Sequence, residues 1–103
     1  MSTGLTPSAV TRALRDLGDD LSTWRRLRQL TAAEVADRAG VGVSTVQRLE
    51  GGQGATLENL LRVARALGIL GPLQQALDPY ATDVGRLRAE QALPKRVRHR
   101  RPG

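Results

Sequence analysis

Apolar residues recur along this chain at steps of three and four, the period of helices with one buried face, and glycines and prolines cut the pattern into segments. The stretch around which the rest is organised is residues 30–51, LTAAEVADRAGVGVSTVQRLEG. Thr31 and Glu34 make a capping-box pattern, in which the hydroxyl and the carboxylate each satisfy a free backbone N–H, so a helix starts at Thr31. Val35, Ala36 and Ala39 share one face, a narrow stripe of small residues that lets a second helix come close. Gly40 ends the helix in the left-handed conformation that glycine takes readily, and Gly42 follows two residues later. A second helix, Val43 to Glu50, turns Val46 and Leu49 inward and leaves Val43, Ser44, Gln47 and Arg48 on the outward face.

The flanking pattern predicts further helices. Met1 to Thr6 read as unstructured. Pro7 suits a first helical turn behind a Thr6 cap, and Val10, Leu14, Leu17, Leu21 and Trp24 then form a heptad-like stripe. Gly18, followed by Asp19 and Asp20, predicts a break between a leading helix over Pro7 to Leu17 and a first domain helix over Asp19 to Gln29. Trp24, the single tryptophan, is expected in the core. Thr56 caps a helix whose Leu57, Leu60, Leu61, Ala64 and Leu67 form the core's main wall, and Gly68 ends it. Gly71-Pro72 opens a short helix with Leu73 and Leu77 as packing residues, stopped by Asp78-Pro79. Thr82 and Asp83 cap a weak last helix reaching Ala92, anchored by Val84 and Leu87. The fold class expected is all-α: a compact bundle of four to five helices with a short N-terminal helix and a basic, disordered C-terminal tail.

Composition agrees with this and narrows the function. With 103 residues there is material for one small domain with tails, and with 2% aromatics the core must be built from Leu, Val and Ala. No cysteine is present, so disulfides and thiolate zinc sites are excluded. No run approaches the length of a membrane span and no signal-peptide pattern opens the chain, which makes a cytoplasmic protein the expectation. The net charge of +6 is uneven: residues 1–84 hold nine arginines and nine acids, whereas 85–103 hold Arg86, Arg88, Lys95, Arg96, Arg98, Arg100 and Arg101 against Glu90 alone. That tail attracts phosphate, or an acidic protein partner, or serves only as a solvated end.

The candidate chemistry follows from the outward face of the Val43–Glu50 helix. A short exposed helix held across a partner helix by a tight turn is the geometry that puts side chains in a DNA major groove. Arg48 can offer paired donors to a guanine edge, and Ser44 and Gln47 can bond base edges or phosphates. An ordinary helical hairpin with a solvated face is the alternative. Gly51-Gly52-Gln53-Gly54 lacks the residues of a nucleotide loop and reads as a flexible link whose N–H groups can approach a phosphate. Catalysis is not expected, because the only histidine, His99, lies in the tail, far from Ser44, and no metal or cofactor site is expected either.

With those residues in place, the chain from Leu21 to Ile69 resembles the Xre/Cro-type helix-turn-helix regulators, and within them the HipB-like antitoxins. The pieces that carry the likeness are WRRLR at 24–28, LTAAEVADRAGV, STVQRLEGG and TLENLLRVARALGI. The resemblance implies a lambda-repressor-like bundle, with a leading arm over 1–18, a DNA-binding domain over 19–78 and a weak helix and tail over 79–103. It implies a sequence-specific transcriptional regulator, an autorepressor, that binds a pseudo-palindromic double-stranded operator as a homodimer. Gly42, Val43, Ser44, Thr45, Gln47, Arg48, Gly52 and Gln53 would meet the DNA, and Arg25 would pair with Glu50. Ile69, Leu70, Leu73 and Leu77 would form a two-fold contact. Ala32 stands where relatives often carry a phosphate-binding Gln, and Gly42 where a Ser cap is common, which leaves Ser44 as an alternative cap for the second helix. The HipB likeness adds a HipA-like kinase toxin as partner. A protein-interaction module with little DNA role, or a non-specific nucleic-acid binder using its tail, are the alternatives.

The tail yields a measurable expectation. Cutting the chain after Leu93 should weaken binding to all DNA and flatten the salt dependence by about one unit of slope for each phosphate contact removed. An unchanged slope would assign Lys95, Arg96, Arg98, Arg100 and Arg101 to something other than DNA.

Overall fold

A computed structural model describes residues 5–92, and every regular element in it is helical. The chain clusters into two compact units, Met1–Leu70 and Gly71–Gly103. The first contains α1 (Ser8–Leu27), α2 (Ala32–Ala39), α3 (Val43–Glu50) and α4 (Leu57–Leu67). Its core is Leu21, Val35, Ala36, Ala39, Val46, Leu49, Val63, Ala64 and Leu67. Val35, Val46, Val63 and Leu67 are its most deeply buried large side chains, each worth about 1.5 to 3 kcal/mol for leaving water. The all-α bundle expected from the hydrophobic pattern is the fold observed.

The start of the fold differs from expectation. α1 is one uninterrupted helix of 20 residues, with Pro7 rather than Thr6 at its N-cap and no side-chain cap. The break expected at Gly18 is absent because glycine is needed there for contact rather than for a turn. Gly18 is buried where α1 meets the end of α3, and a Cβ on it would lie 2.5 Å from the Leu49 carbonyl oxygen and 2.7 Å from that of Glu50. Asp19 and Asp20 therefore fall in mid-helix on the exposed side.

The inward line of α1 runs through half-buried Leu14, buried Gly18 and Leu21, and half-buried Arg25, so it takes only Leu14 and Leu21 from the heptad-like stripe. Val10, Leu17 and Trp24 stay 47%, 54% and 40% exposed, and Trp24 is not a core residue. Its ring instead supports the Arg28 guanidinium, 5.5 Å from the ring centroid. A similar rotation affects α4, which buries Val63, Ala64 and Leu67 and half-buries Leu60 and Leu61, while Leu57 at its first turn is 70% exposed.

Caps set the remaining boundaries. The Thr31 hydroxyl accepts the Glu34 N–H at 3.1 Å, and the Glu34 carboxylate accepts the Thr31 N–H at 2.8 Å, which holds that carboxyl below its usual range. At the start of α4 the Thr56 hydroxyl accepts the Asn59 N–H at 3.1 Å. α2 and α4 end on Gly40 and Gly68 in the left-handed conformation, and Gln29 takes the same conformation after α1, at φ 59°.

The second unit contains α5 (Leu70–Leu77), which begins at the boundary residue, a 3-10 turn (Pro79–Ala81) and α6 (Asp83–Ala92). The Thr82 hydroxyl accepts the Gly85 N–H at 3.0 Å, capping α6, and Arg86 pairs with Asp83. No described residue of this unit is buried. Leu73 is half-buried, and Leu77, expected to pack, is 81% exposed. No described helix is long and apolar enough to cross a membrane.

Gly18→Ala tests the close approach. Alanine favours a helix interior by about 1 kcal/mol over glycine, but here it drives a methyl group into two backbone carbonyls, so a net loss of about 1 to 3 kcal/mol is expected in urea unfolding. A raised midpoint would show that α1 and α3 separate without cost.

Candidate nucleic-acid interface

α3 is an eight-residue helix, too short to persist alone in water, so its direction is set by what it packs against. Val46 and Leu49 anchor it in the core between α1, α2 and α4. The turn before it runs through Gly40, Val41 and Gly42, with Val41 half-buried against the core. Gly42 is the N-cap residue of α3 and supplies no side-chain bond, while Ser44 lies inside the helix and does not cap it.

The C-terminal end of α3 is pinned from α1. Arg25 Nε donates to Glu50 Oε2 at 2.7 Å and Arg25 Nη2 to Oε1 at 3.0 Å, a two-pronged pair across 25 residues of sequence. Arg25 Nη1 also donates to the Leu30 carbonyl at 3.0 Å, so one guanidinium ties together the end of α1, the linker to α2 and the end of α3. Its side chain and that of Glu50 are only 19% and 16% exposed, and the bond to Glu50 raises the Arg25 pKa further.

With one face buried and one end fixed, α3 presents Val43, Ser44, Gln47 and Arg48 to solvent. Among the described residues no hydrogen bond or ion pair engages the side chains of Ser44, Gln47 or Arg48. Thr45 is half-buried at the edge of this face and, with Arg48, lines a cleft of about 150 Å³ whose other wall is Gly54, Ala55, Thr56 and Asn59 at the start of α4. The path of the loop brings Thr56, the α4 cap, and Asn59 beside Arg48, and no sequence periodicity signals either. Ala32 is half-buried against the core.

The link after α3 is more ordered than expected. The N–H groups of Gly51, Gly52 and Gln53 donate to the carbonyls of Gln47, Leu49 and Arg48, closing the helix end. They are spent within the chain and do not offer free donors to a phosphate. Gly52, at φ 76°, also lies against α1, where a Cβ would come 3.0 Å from the Arg15 Cα. The exposed Gln53 side chain is what this link presents. The tail cations Lys95, Arg96, Arg98, Arg100 and Arg101 lie outside the described residues.

Two helices joined by a three-residue turn, the second with a buried apolar side and a polar outward side, define a helix-turn-helix unit. Residues 21–71 match the family model described as helix-turn-helix, and this segment is a helix-turn-helix domain of the Xre and lambda-repressor-like type, a DNA-binding class. No curated protein and no solved structure matches the chain.

Arg25→Ala should lower stability by about 1 to 3 kcal/mol in urea unfolding, because the half-buried Glu50 carboxylate loses its donors. Arg25→Lys should recover only part of that, since an ammonium cannot form both prongs. Equal stability of all three proteins would mean that the pair orients α3 without stabilising it.

Proposed function

We propose that this protein is a sequence-specific transcriptional regulator that lays α3 in the DNA major groove and represses its own promoter. The observation that carries this reading is the α3 surface: Ser44, Gln47 and Arg48 stand exposed and, among the described residues, without side-chain partners, on a helix whose opposite face and far end are held by the fold. Such preorganisation spares the cost of ordering the helix on binding. Arg48 has the fork geometry for a guanine edge, Gln47 and Ser44 supply further polar contacts, and Val43 offers an apolar one for a thymine methyl. Half-buried Thr45 and the exposed side chain of Gln53, at the margins of this face, would serve as contacts to the DNA backbone.

The reading extends to a homodimer on a pseudo-palindromic operator, with half-sites about 34 Å apart. Leu77, 81% exposed, and Leu73 beside it on α5 supply apolar surface that a two-fold contact would cover. The likeness to HipB-like antitoxins extends it again, to neutralisation of a HipA-like kinase toxin. Copurification with the product of a neighbouring reading frame tests that extension.

The central test is binding to DNA from upstream of the protein's own gene against a shuffled duplex across a salt series. A protected symmetric site that survives moderate salt is expected. Arg48→Ala should lose about 1 to 3 kcal/mol per half-site and relax the preference at one base pair. An equal loss on every sequence would assign Arg48 to phosphate, and equal binding of both duplexes by the unaltered protein would overturn sequence-specific recognition.

A further inference from the structure

Away from the outward face of α3, three arginines distant in sequence converge on one cleft. Arg28 follows the end of α1, while Arg38 and Arg65 stand in the last turns of α2 and α4. Together with Leu30, Leu67 and Gly68 they line a cavity of about 290 Å³, and no carboxylate is among its lining residues. The ion pairs among the described residues use Arg25, Arg62 and Arg86, and none uses these three. Glu34, which feels the charge of Arg38 from one turn away, is committed to the Thr31 N–H.

A structural role accounts for part of the cluster. Arg28 Nε donates to the Leu67 carbonyl at 3.0 Å, and cations near helix C-termini are favourable in general. The magnitudes do not balance, however. Three helix ends supply about half a negative charge each, which leaves roughly half of the positive charge of the three arginines uncompensated. Arg28 is also preorganised: its Nε bond and the Trp24 ring fix the guanidinium, and its terminal nitrogens remain unused among the described residues. Gly68 keeps the wall low, since a Cβ there would sit 3.0 Å from Arg28 Nη2.

We propose that this cleft is a binding site for a phosphoryl group. Guanidinium forks match the tetrahedral oxygens of phosphate, and several forks from different directions match them better than one. The volume lies at the lower edge of small-ligand sites, suited to a phosphate with a small substituent. No residue of α3 lines the cleft, so it is separate from the proposed base-reading face and does not depend on it. The phosphoryl group comes either from a phosphorylated small molecule or from the DNA backbone.

Trp24 makes the test direct, as the single tryptophan of the chain and the ring beneath Arg28. The full-length protein is titrated with inorganic phosphate and with pyrophosphate at constant ionic strength, with chloride as the control, and Trp24 emission is followed. A saturable change with the phosphates alone is expected, weakened about tenfold in Arg38→Gln and in Arg65→Gln, as for loss of one charged hydrogen bond. Both side chains are exposed, so the fold should survive either change. A response equal to that of chloride, or one unaltered in both variants, overturns the site. Repeating the titration with the operator duplex bound separates the two sources: phosphate binding that persists assigns the site to a free ligand, and binding that disappears assigns it to the DNA backbone.

Discussion

The contact between the middle of α1 and the end of α3 is the constraint on which the rest of the structure depends. A helix of eight residues has no stable direction of its own, and two devices give it one. Gly18 removes the side chain that would hold α1 away from the Leu49 and Glu50 carbonyls, and Arg25 then reaches Glu50 with both prongs. Neither works without the other. The ion pair requires the close approach, and the close approach alone would leave the Glu50 carboxylate half-buried without its donor. The apolar anchors Val46 and Leu49 hold α3 in the core, but it is the polar pair that fixes how its outward face is aimed.

Arginine performs different work at different places in this small fold, and local partners decide which. Arg25 is consumed by Glu50, and Arg62 by Glu58, with a further long contact of 3.5 Å to the Ala39 carbonyl. Arg48 has no side-chain partner among the described residues and faces outward. Arg28, Arg38 and Arg65 gather where three helix C-termini supply partial negative charge but too little to offset them. The overall charge balance of the first 84 residues, nine against nine, conceals all of this. Electrostatic function here is a matter of which charges are left over after the fold has paired the others.

The two halves of the recognition unit differ in how they are stabilised. α2 is secured locally by its capping box and by Gly40, with contacts that lie within a few residues of each other. α3 has no side-chain cap and ends on a network shared with α1, so its order is borrowed from the tertiary fold. This places the outward face of α3 under the control of a contact distant in sequence, so a change in α1 would reach the exposed side chains of that face without touching them.

Local physics was legible in the sequence. The capping box at Thr31, the turn at Gly40, the small-residue stripe of α2 and the inward pair Val46 and Leu49 depend on neighbours within one or two helical turns, and the residue types there admit one reading. What escaped depended on contacts between distant segments. Gly18 carries the same symbol whether it breaks a helix or admits a carbonyl, and only the position of α3 decides between them. The burial of Trp24 and Leu57 turned on a small rotation of each helix about its axis, which periodicity does not specify. The donors of Gly51, Gly52 and Gln53 were spoken for by the end of α3, and Asn59 came beside Arg48 through the path of a loop. The arginine cleft had no sequence signature, because its three members share no period and meet only where three helix ends come together.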